Sequence, residues 1–151
     1  MIRFAQTQDI SGIIQTLRAF SEEATVGFRH FTQADHDRLV PLVQNWIQNH
    51  YVKVALSDDA VVGCIIAEKI NDFWDPSQLY LQERAWYILK DHRATRLSVS
   101  LWQHWNKDSQ DYLMRGIVNG VLMSTQGEDS NFNPGKRGWQ HIETVWIKKE
   151  D

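Results

Sequence analysis

Residues 86–101 carry the side chains of this sequence that are best suited to binding an anion. A hydrophobic run ends there, a short turn with Arg93 and Arg96 follows, and an amphipathic helix is predicted from Thr95 onward. The first amides of a helix lack intrahelical acceptors and the helix dipole adds partial positive charge, so such a turn stabilises a phosphate group. The two arginines can add charge-assisted hydrogen bonds to phosphate oxygens. The pattern predicts a pyrophosphate site, with an ordinary strand-turn-helix unit and solvated arginines as the alternative.

Other reactive side chains form weaker patterns. The six histidines show no close spacing of metal ligands, so we expect no bound metal. The one cysteine, Cys64, excludes an internal disulfide, and its apolar neighbours indicate an inert hydrophobic side chain and not a nucleophile. The sequence contains neither a serine-centred nucleophile elbow nor a Walker loop.

The composition is typical of one globular domain, which we predict to span residues 1–151. Hydrophobic residues make up 42% of the chain, enough for a packed interior at this length. The formal charge of −3 argues against non-specific binding to duplex nucleic acid, which needs a basic face. The longest apolar runs, such as residues 60–67, are too short to span a bilayer, and polar residues interrupt the N-terminus early. We therefore expect a cytoplasmic protein that makes no membrane contact.

The first part of the chain is predicted to form one strand and two helices. The predicted elements are a strand (1–5), a helix (10–20), a loop (25–31) and a second helix that opens at Thr32. Thr7 or Asp9 can cap the first helix, because either side-chain oxygen can accept from an unpaired first-turn amide. Pro41 predicts a kink in the second helix, or a start nearer Val40.

The rest of the chain is predicted to place strands around one further helix. Residues 51–56 and 60–69 flank the polar turn Ser57-Asp58-Asp59 and indicate an antiparallel hairpin. The later predicted elements are a strand (84–89), a helix (95–105), a strand (114–123) and a last strand (141–148). This order predicts an α/β fold, in which a mixed sheet carries helices on its faces.

The whole chain resembles the GNAT superfamily of acyl-CoA-dependent N-acyltransferases in element order and local pattern. Residues 2–9 are similar to that family's first strand and capped first helix, and residues 61–67 to its third strand. The family's central pattern is a strand followed by Val-x-Pro-x-x-Arg-x-x-Gly-x-Gly/Ala and a helix. Here Ile88 takes the Val place, Lys90 the Pro place and Arg93 the Arg place.

Two positions of that pattern depart from the family. Arg96 and Ser98 stand where small residues are usual, and a glycine at the first of them lets the backbone approach the pyrophosphate closely. A branch of the family that is frequent in bacteriophage genomes resembles this sequence in having Arg-x-x-Arg-x-(Ala/Ser) at the same place. The resemblance to that branch implies a variant phosphate cradle. Near the end of the chain, Gly138-Trp139 looks like the family's Gly-Phe before the last strand.

The resemblance implies a splayed, mostly antiparallel sheet with helices on both faces, split between residues 84–89 and 114–123. Acetyl-CoA, as co-substrate, would enter that split, with its pantetheine arm paired to the backbone of Ile88 and Lys90 and with Asn119 lining the other side. The implied pyrophosphate site consists of backbone amides and side chains of Arg93, Ala94, Thr95, Arg96, Leu97 and Ser98.

The resemblance also implies catalytic roles for two residues of the fourth strand. Glu83 stands at the family position of the general base, which must lie within hydrogen-bond reach of the acceptor amine, directly or through a water. A solvated strand-end carboxylate is the alternative interpretation of Glu83. Pro134 stands where the family often has a tyrosine acid, so Tyr87 is the substitute candidate for protonating the departing thiolate. A packed strand aromatic is the alternative for Tyr87.

Two functions are consistent with these residues. The first is an N-acyltransferase that moves acetyl from acetyl-CoA to an amine of a small molecule or a protein. The second is a catalytically inactive module of the same fold that binds a protein partner, for example a phage-encoded assembly or host-interaction factor. Pro134, Arg96 and Ser98 favour the second function, and pairing as a homodimer, as many relatives do, is compatible with both.

The acceptor is left open by the sequence, because acceptor pockets of this fold are built from the region of helices 1 and 2 and from the late loop, which follow no general code. Nucleic acid is not an expected partner. Three aromatic residues could mark a partner surface, namely Trp74, Trp102 and Trp105. Core packing is the expectation for Trp102 and Trp105, which lie three apart on one predicted helix.

Overall fold

One five-stranded sheet and three α-helices make up the part of the chain that the structure, a computed structural model, describes: residues 1–23, 32–93, 95–124, 135 and 138–140. The strands are β1 (Ile2–Phe4), β2 (Tyr51–Ser57), β3 (Ala60–Asn71), β4 (Leu79–Ile88) and β5 (Gly120–Leu122). The helices are α1 (Ile10–Glu23), α2 (Gln33–Asn49) and α3 (Arg96–Met114). None of the helices in these ranges is long and apolar enough to cross a membrane.

The strands lie side by side in chain order, from β1 to β5. Neighbouring strands are antiparallel except β4 and β5, which run parallel and are joined through α3. The connection between β2 and β3 is the predicted tight hairpin. Asp58 and Asp59 have φ angles of 47° and 62°, the pair of left-handed residues that a type I′ turn requires. The prediction of a mixed, mostly antiparallel sheet is confirmed.

Helices cover both faces of the sheet, as predicted. One core lies between α3 and the sheet and includes Tyr51, Ile65, Leu101, Trp102 and Trp105. The other lies between the sheet and the pair α1 and α2 and includes Ile13, Ile14, Val43, Val54 and Ile66. Because alternate residues of a strand point to opposite faces, the nearly continuous apolar runs of β2 and β3 supply both cores.

Asp9 fixes the junction between β1 and α1. It is buried, and its carboxylate accepts hydrogen bonds from the Arg3 guanidinium at 2.7 and 2.9 Å and from the Gln6 amide at 2.7 Å. Burial acts to raise the pKa of Asp9, but the bonds from Arg3 and Gln6 outweigh it, so the pKa lies below its ordinary value. The residue predicted as a cap therefore also ties the helix start to the first strand.

Helix α2 begins directly after Thr32, as the sequence predicts. The Thr32 hydroxyl accepts from the Asp35 amide at 3.2 Å, and the Asp35 carboxylate accepts from the Thr32 amide at 2.9 Å. This reciprocal pair is a capping box, which satisfies two otherwise unpaired donors. Pro41 lies inside the helix, so the alternative start near Val40 is wrong.

The predicted boundary between the third helix and the next strand is wrong. Helix α3 continues past Trp105 to Met114, and the predicted strand 114–123 is reduced to Gly120–Leu122. Ser109 is buried and Tyr112 packs against the core, so the buried stripe of the helix runs on beyond Trp105.

A glycine cap ends α3. Gly116 has a φ of 65°, and the amides of Gly116 and Ile117 donate to the carbonyls of Leu113 at 3.1 Å and Tyr112 at 2.9 Å. These two bonds form a Schellman cap. Apolar residues follow Gly116 directly, so the hydrophobic pattern continues across the end of the helix and conceals it in the sequence.

Strand β4 begins at Leu79 and not at residue 84, because its pairing with β3 starts at Asn71 opposite Leu79. Residues 72–78, around Trp74, therefore form a short connection between two long strands. The Asp72 carboxylate accepts hydrogen bonds from the amides of Trp74 and Asp75 in this connection, both at 2.8 Å. Trp74 is 88% exposed, whereas Trp102 and Trp105 are buried as expected.

Several predictions concern residues outside the described part of the chain. They are the loop 25–31, Pro134 at the family's tyrosine position and the last strand 141–148. The span of a single domain over residues 1–151 stays a prediction.

We expect Asp9→Asn to lower the free energy of unfolding at pH 7 by about 2–3 kcal/mol, because Arg3 loses a charged, buried partner. The pKa of Asp9 is depressed in the folded protein, so its contribution is fully present above the ordinary carboxyl pKa and is lost as the pH falls below about 4. The difference in melting temperature between variant and native protein should therefore shrink on acidification. Thermal unfolding at pH 7 and near pH 3 tests this, with the exposed Asp37→Asn as control. A difference that is independent of pH would contradict the ion pair.

Candidate functional site

The sheet opens between β4 and β5. Residues 80–82 pair with residues 120–122, and there the ladder ends. At the next step the amide and the hydroxyl of Ser124 donate to the Glu83 carboxylate, both at 3.3 Å, in place of a strand-to-strand bond. Among the described residues, no strand pairs with this edge of β4 from Glu83 to Ile88. The predicted split therefore begins at Glu83.

A β-bulge at Arg84 decides which way the neighbouring side chains point. Ala67 of β3 lies opposite Glu83 and Ile66 lies opposite Ala85, so β4 carries one extra residue at this step. Residues opposite one another share a face of the sheet. Glu83 therefore lies on the α3 face with Ala67, and Ala85 lies on the α1–α2 face with Ile66. Where the opening begins, β4 therefore presents Glu83 to the α3 face and Ala85 to the α1–α2 face, with Arg84 between them.

Glu83 is a buried carboxyl group, only 8% exposed, so the alternative of a solvated strand-end carboxylate does not describe it. Burial raises its pKa above the ordinary value, and the hydrogen bonds from Ser124 and the charge of Arg84 offset this only in part. A general base is most effective when its pKa lies near the working pH. The environment of Glu83 is consistent with that role.

Tyr87 contacts α1 and lies on the opposite face from Glu83. Its hydroxyl donates to Glu23 at 2.7 Å, and its ring lies 5.3 Å from the ring of Phe20. Burial and the bond to Glu23 together raise the pKa of Tyr87 to about 12. These contacts match the alternative of a packed strand aromatic. The Tyr87 hydroxyl lies at the end of α1 and not beside Glu83.

Arg93 folds back over the end of β4. Its Nε donates to the Ile88 carbonyl at 2.9 Å, its Nη2 donates to Glu23 at 2.6 Å, and its guanidinium lies 4.8 Å from the centre of the Tyr87 ring. The residue thus ties the last residue of β4 to the end of α1. Its carbonyl oxygen also accepts from the Ser98 hydroxyl at 2.9 Å, which links the turn to the first part of α3.

The predicted phosphate turn is ordered by its own side chains. Thr95 caps α3, since its hydroxyl accepts from the Leu97 amide at 3.2 Å and donates to the His92 carbonyl at 2.6 Å. The first turn of this 19-residue helix has no acidic residue, so the positive end of the dipole is not neutralised locally. Arg96 and Lys90 are exposed beside it. Ala94 lies outside the described residues.

The structure brings most of the predicted cofactor residues together, from Ile88 to Ser98, but Asn119 lies elsewhere. Its amide donates to the Leu79 carbonyl at 2.6 Å, and its side-chain oxygen accepts from the Leu79 amide at 2.8 Å. Asn119 therefore closes the paired end of β4 and β5. Leu79 and Ile88 are the two ends of β4, a separation of about 30 Å at 3.3 Å per residue.

A cavity of about 400 Å³ lies on the other face of β4, between α1, α2, β3 and β4. Its lining includes Arg84 and Ala85, the two residues that follow Glu83. The region of the first two helices is where the resemblance implies an acceptor pocket. The cavity is within the size range of small-molecule sites, which is about 300–1,000 Å³.

Sequence reasoning missed two residues of the site, Glu23 and Ser124. Glu23 is one of two acidic residues at the end of α1, and Ser124 begins a polar segment, so neither carries a local signal. Among the described residues, no three His, Cys, Asp or Glu side chains form a group that could hold a metal ion. Cys64 is buried, and burial together with the nearby Glu83 raises the pKa of its thiol to about 12.

Solved structures of acetyltransferases share this fold. A possible acetyltransferase from Clostridium difficile 630 superposes with a TM-score of 0.71 at 16% identity, over 99% of this chain and 96% of that protein. A glucosamine-6-phosphate N-acetyltransferase from Arabidopsis thaliana gives a TM-score of 0.68 at 14% identity, over 100% and 98%. A GNAT family acetyltransferase from Staphylococcus aureus gives 0.65 at 11% identity, over 99% and 97%.

No protein-family model matches the sequence, and no curated protein matches it. The structural similarity spans nearly the whole chain, and identities this low show the fold alone. The chain therefore has the fold of GNAT acetyltransferases, and the predicted fold class is confirmed.

We expect Glu83→Gln to raise the melting temperature, and to raise it more at pH 8 than at pH 5. A carboxyl group whose pKa is raised on folding binds its proton more tightly in the folded state, so it destabilises the fold increasingly as the pH rises above the ordinary carboxyl pKa. Glutamine has the same shape and does not titrate. Thermal unfolding across this pH range measures the difference, and the exposed Glu22→Gln provides the control. An effect of Glu83→Gln that does not change with pH would show that the carboxyl is not perturbed by burial.

Proposed function

We propose that this chain is an acyl-CoA-dependent N-acyltransferase that moves an acetyl group from acetyl-CoA to an amine. The observation that carries the proposal is the place of Glu83. A buried carboxyl group with a raised pKa lies at the point where β4 and β5 part, on the strand that leads to the N-terminus of α3. One strand thus connects a candidate base to a candidate phosphate turn.

The residues around the open edge fit two parts of a CoA molecule, the pantetheine arm and the pyrophosphate. An unpaired strand edge accepts an extended chain as an additional strand, which suits a pantetheine arm beside Ile88 and Lys90. The N-terminus of α3 and the exposed Arg96 suit the pyrophosphate. We assign the phosphate-binding charge to Arg96 in preference to Arg93, because Arg93 already bonds to Glu23 and to the Ile88 carbonyl. That carbonyl retains a second lone pair for a ligand.

Acetyl-CoA supplies an acetyl group that is activated as a thioester. In the net reaction a carbon–nitrogen bond forms, the carbon–sulfur bond breaks, the neutral amine loses one proton, and the CoA thiolate gains one. Glu83 takes that proton from the acceptor, directly or through a water, and the raised pKa of its carboxyl group makes it a stronger base than a solvated carboxylate.

We assign protonation of the departing thiolate to solvent, because the Tyr87 hydroxyl lies on the face of the sheet opposite Glu83. The Tyr87 hydroxyl already donates to Glu23, and its pKa of about 12 is well above that of an ordinary thiol, about 8.5. Transfer from Tyr87 to the thiolate would therefore be uphill. Without a dedicated acid, turnover should be slow.

Calorimetry with CoA and with acetyl-CoA tests the cofactor site. Arg96→Glu should weaken binding by about 1–3 kcal/mol, the range for losing a charge-assisted hydrogen bond. Arg115→Glu makes the same charge change at the exposed, opposite end of α3 and should leave binding nearly unchanged. Equal binding by the native protein and Arg96→Glu would locate the pyrophosphate elsewhere, and no binding by the native protein would reject the enzyme.

Steady-state release of CoA tests the base. Glu83→Gln should lower the turnover number by ~10²–10⁴ at unchanged CoA affinity, since general-base catalysis typically contributes that much. Tyr87→Phe keeps the ring contact with Phe20 and should change turnover little if solvent protonates the thiolate. Equal rates for native protein and Glu83→Gln would remove Glu83 from the mechanism.

A non-catalytic module that binds a protein is the second candidate, and one observation favours it. Phe73 and Trp74 are 84% and 88% exposed, with ring centres 4.9 Å apart, on a connection held by the Asp72 carboxylate. Exposed aromatic residues on an ordered turn are typical anchors of protein interfaces. Failure to bind CoA would favour this function. Membership of the bacteriophage branch, a cytoplasmic location and a homodimer stay predictions.

A further inference from the structure

We infer that the acceptor is a small primary amine whose body is apolar and carries no second charge. This inference rests on the proposed acyltransfer and names its substrate class. It is drawn from the apolar walls of the cavity between α1, α2, β3 and β4, from the charged residues of its lining and from its position beside the open edge of β4.

The walls of the cavity are mainly hydrophobic. Of the eleven lining residues in the described part of the chain, seven are apolar: Leu17, Phe20, Leu39, Leu42, Trp46, Ile66 and Ala85. They come from all four elements, and Ala85 on β4 and Ile66 on β3 are among the buried residues of the core below. A charged body placed against these apolar walls would lose hydration, whereas a ring or a branched alkyl chain would be stabilised by burial.

The charged lining residues that the structure describes are paired with one another or with neighbours. Arg38 forms an ion pair with Asp35, and the Arg84 Nε lies 3.1 Å from the Glu68 carboxylate. Asp35 also accepts the amide of its helix cap. A polyamine or an aminoglycoside-like cation needs several carboxylates, and a phosphorylated sugar needs arginines that are available to it. The paired charges of the lining favour neither a polycation nor a phosphorylated sugar.

The cavity lies next to the open edge of β4. Arg84 and Ala85 line it, and Glu83 precedes them at the start of the open edge. The bulge at Arg84 turns Ala85 to the α1–α2 face and leaves Glu83 on the α3 face, and no described strand covers the edge of β4 between these two faces. An amine held by its apolar body in the cavity would reach the split around this uncovered edge.

Four amines test the inference by rate of CoA release with acetyl-CoA. Hexylamine and 2-(2-aminoethoxy)ethanol have the same chain length, one with carbon and the other with ether and hydroxyl oxygens, and 2-phenylethylamine and spermidine extend the comparison. We expect kcat/KM for hexylamine and 2-phenylethylamine to exceed that for the ether amine by about 10–150-fold, the value of burying one large apolar side chain. Spermidine should be the poorest acceptor.

A matched pair of variants on α2 links the preference to the cavity. Leu42 lines the cavity and is 40% exposed, and Val40 is 38% exposed and is not part of the lining. Leu42→Ser should raise KM for hexylamine roughly 3–10-fold at nearly constant kcat, since a partly exposed side chain contributes less than a buried one. Val40→Ser should change neither. The affinity of each variant for CoA, measured by calorimetry, should match that of the native protein.

The outcomes separate the inference from the proposed function. If the native protein did not bind CoA, both the proposed acyltransferase and the apolar acceptor would be overturned. Acetylation of spermidine or of the ether amine in preference to hexylamine would overturn the apolar acceptor and keep the acyltransferase. If Leu42→Ser and Val40→Ser gave equal KM values for hexylamine, the acceptor would bind outside this cavity and the inference would fail. Calorimetric titration of native protein and Leu42→Ser with 2-phenylethylamine gives the same comparison without turnover, and equal affinities would also count against the cavity.

Discussion

The early end of pairing between β4 and β5 is the constraint on which the site depends. Buried backbone amides and carbonyls must find partners, so a strand edge that loses its neighbour must be satisfied in another way. At one end the Ser124 amide donates to the Glu83 carboxylate, and at the other the Ile88 carbonyl accepts from Arg93. A side chain thus takes part in a hydrogen bond at each end of the opening. The unpaired edge of β4, including the Ile88 carbonyl with its second lone pair, is left for an extended ligand.

Two contacts keep the far end of β4 in place although β5 does not support it. Glu23 accepts hydrogen bonds from both Tyr87 and Arg93, which joins the end of the strand to α1. Gly63 allows β3 to lie close on the other side, since a Cβ atom there would be 2.9 Å from the Tyr87 carbonyl oxygen. Because that atom belongs to the backbone, a larger residue would push the two strands apart. Because these contacts already hold the edge in place, less free energy is lost to ordering the protein when a ligand binds there.

The bulge at Arg84 separates two environments along one strand. The carboxyl group of Glu83 is on the α3 face, where burial raises its pKa. Two residues later, after Arg84, Ala85 faces the apolar cavity next to α1 and α2. A regular strand would alternate faces without a step and would leave Glu83 and Tyr87 on the same side. The extra residue instead places the Glu83 carboxyl group on one face of the sheet and the apolar cavity on the other.

Features that depend on local backbone chemistry and on hydrophobic spacing were predictable from the sequence. These include the hairpin turn at Asp58-Asp59, the cap at Thr32 and the strand-turn-helix around Thr95. The burial of Glu83 and the bond from Arg93 to Glu23, a residue 70 positions away, depend on the folded chain as a whole. Burial and such pairings arise when distant segments meet, and no spacing along the chain encodes them. The same reason explains the misplaced end of α3, since its last turns are fixed by packing on the sheet.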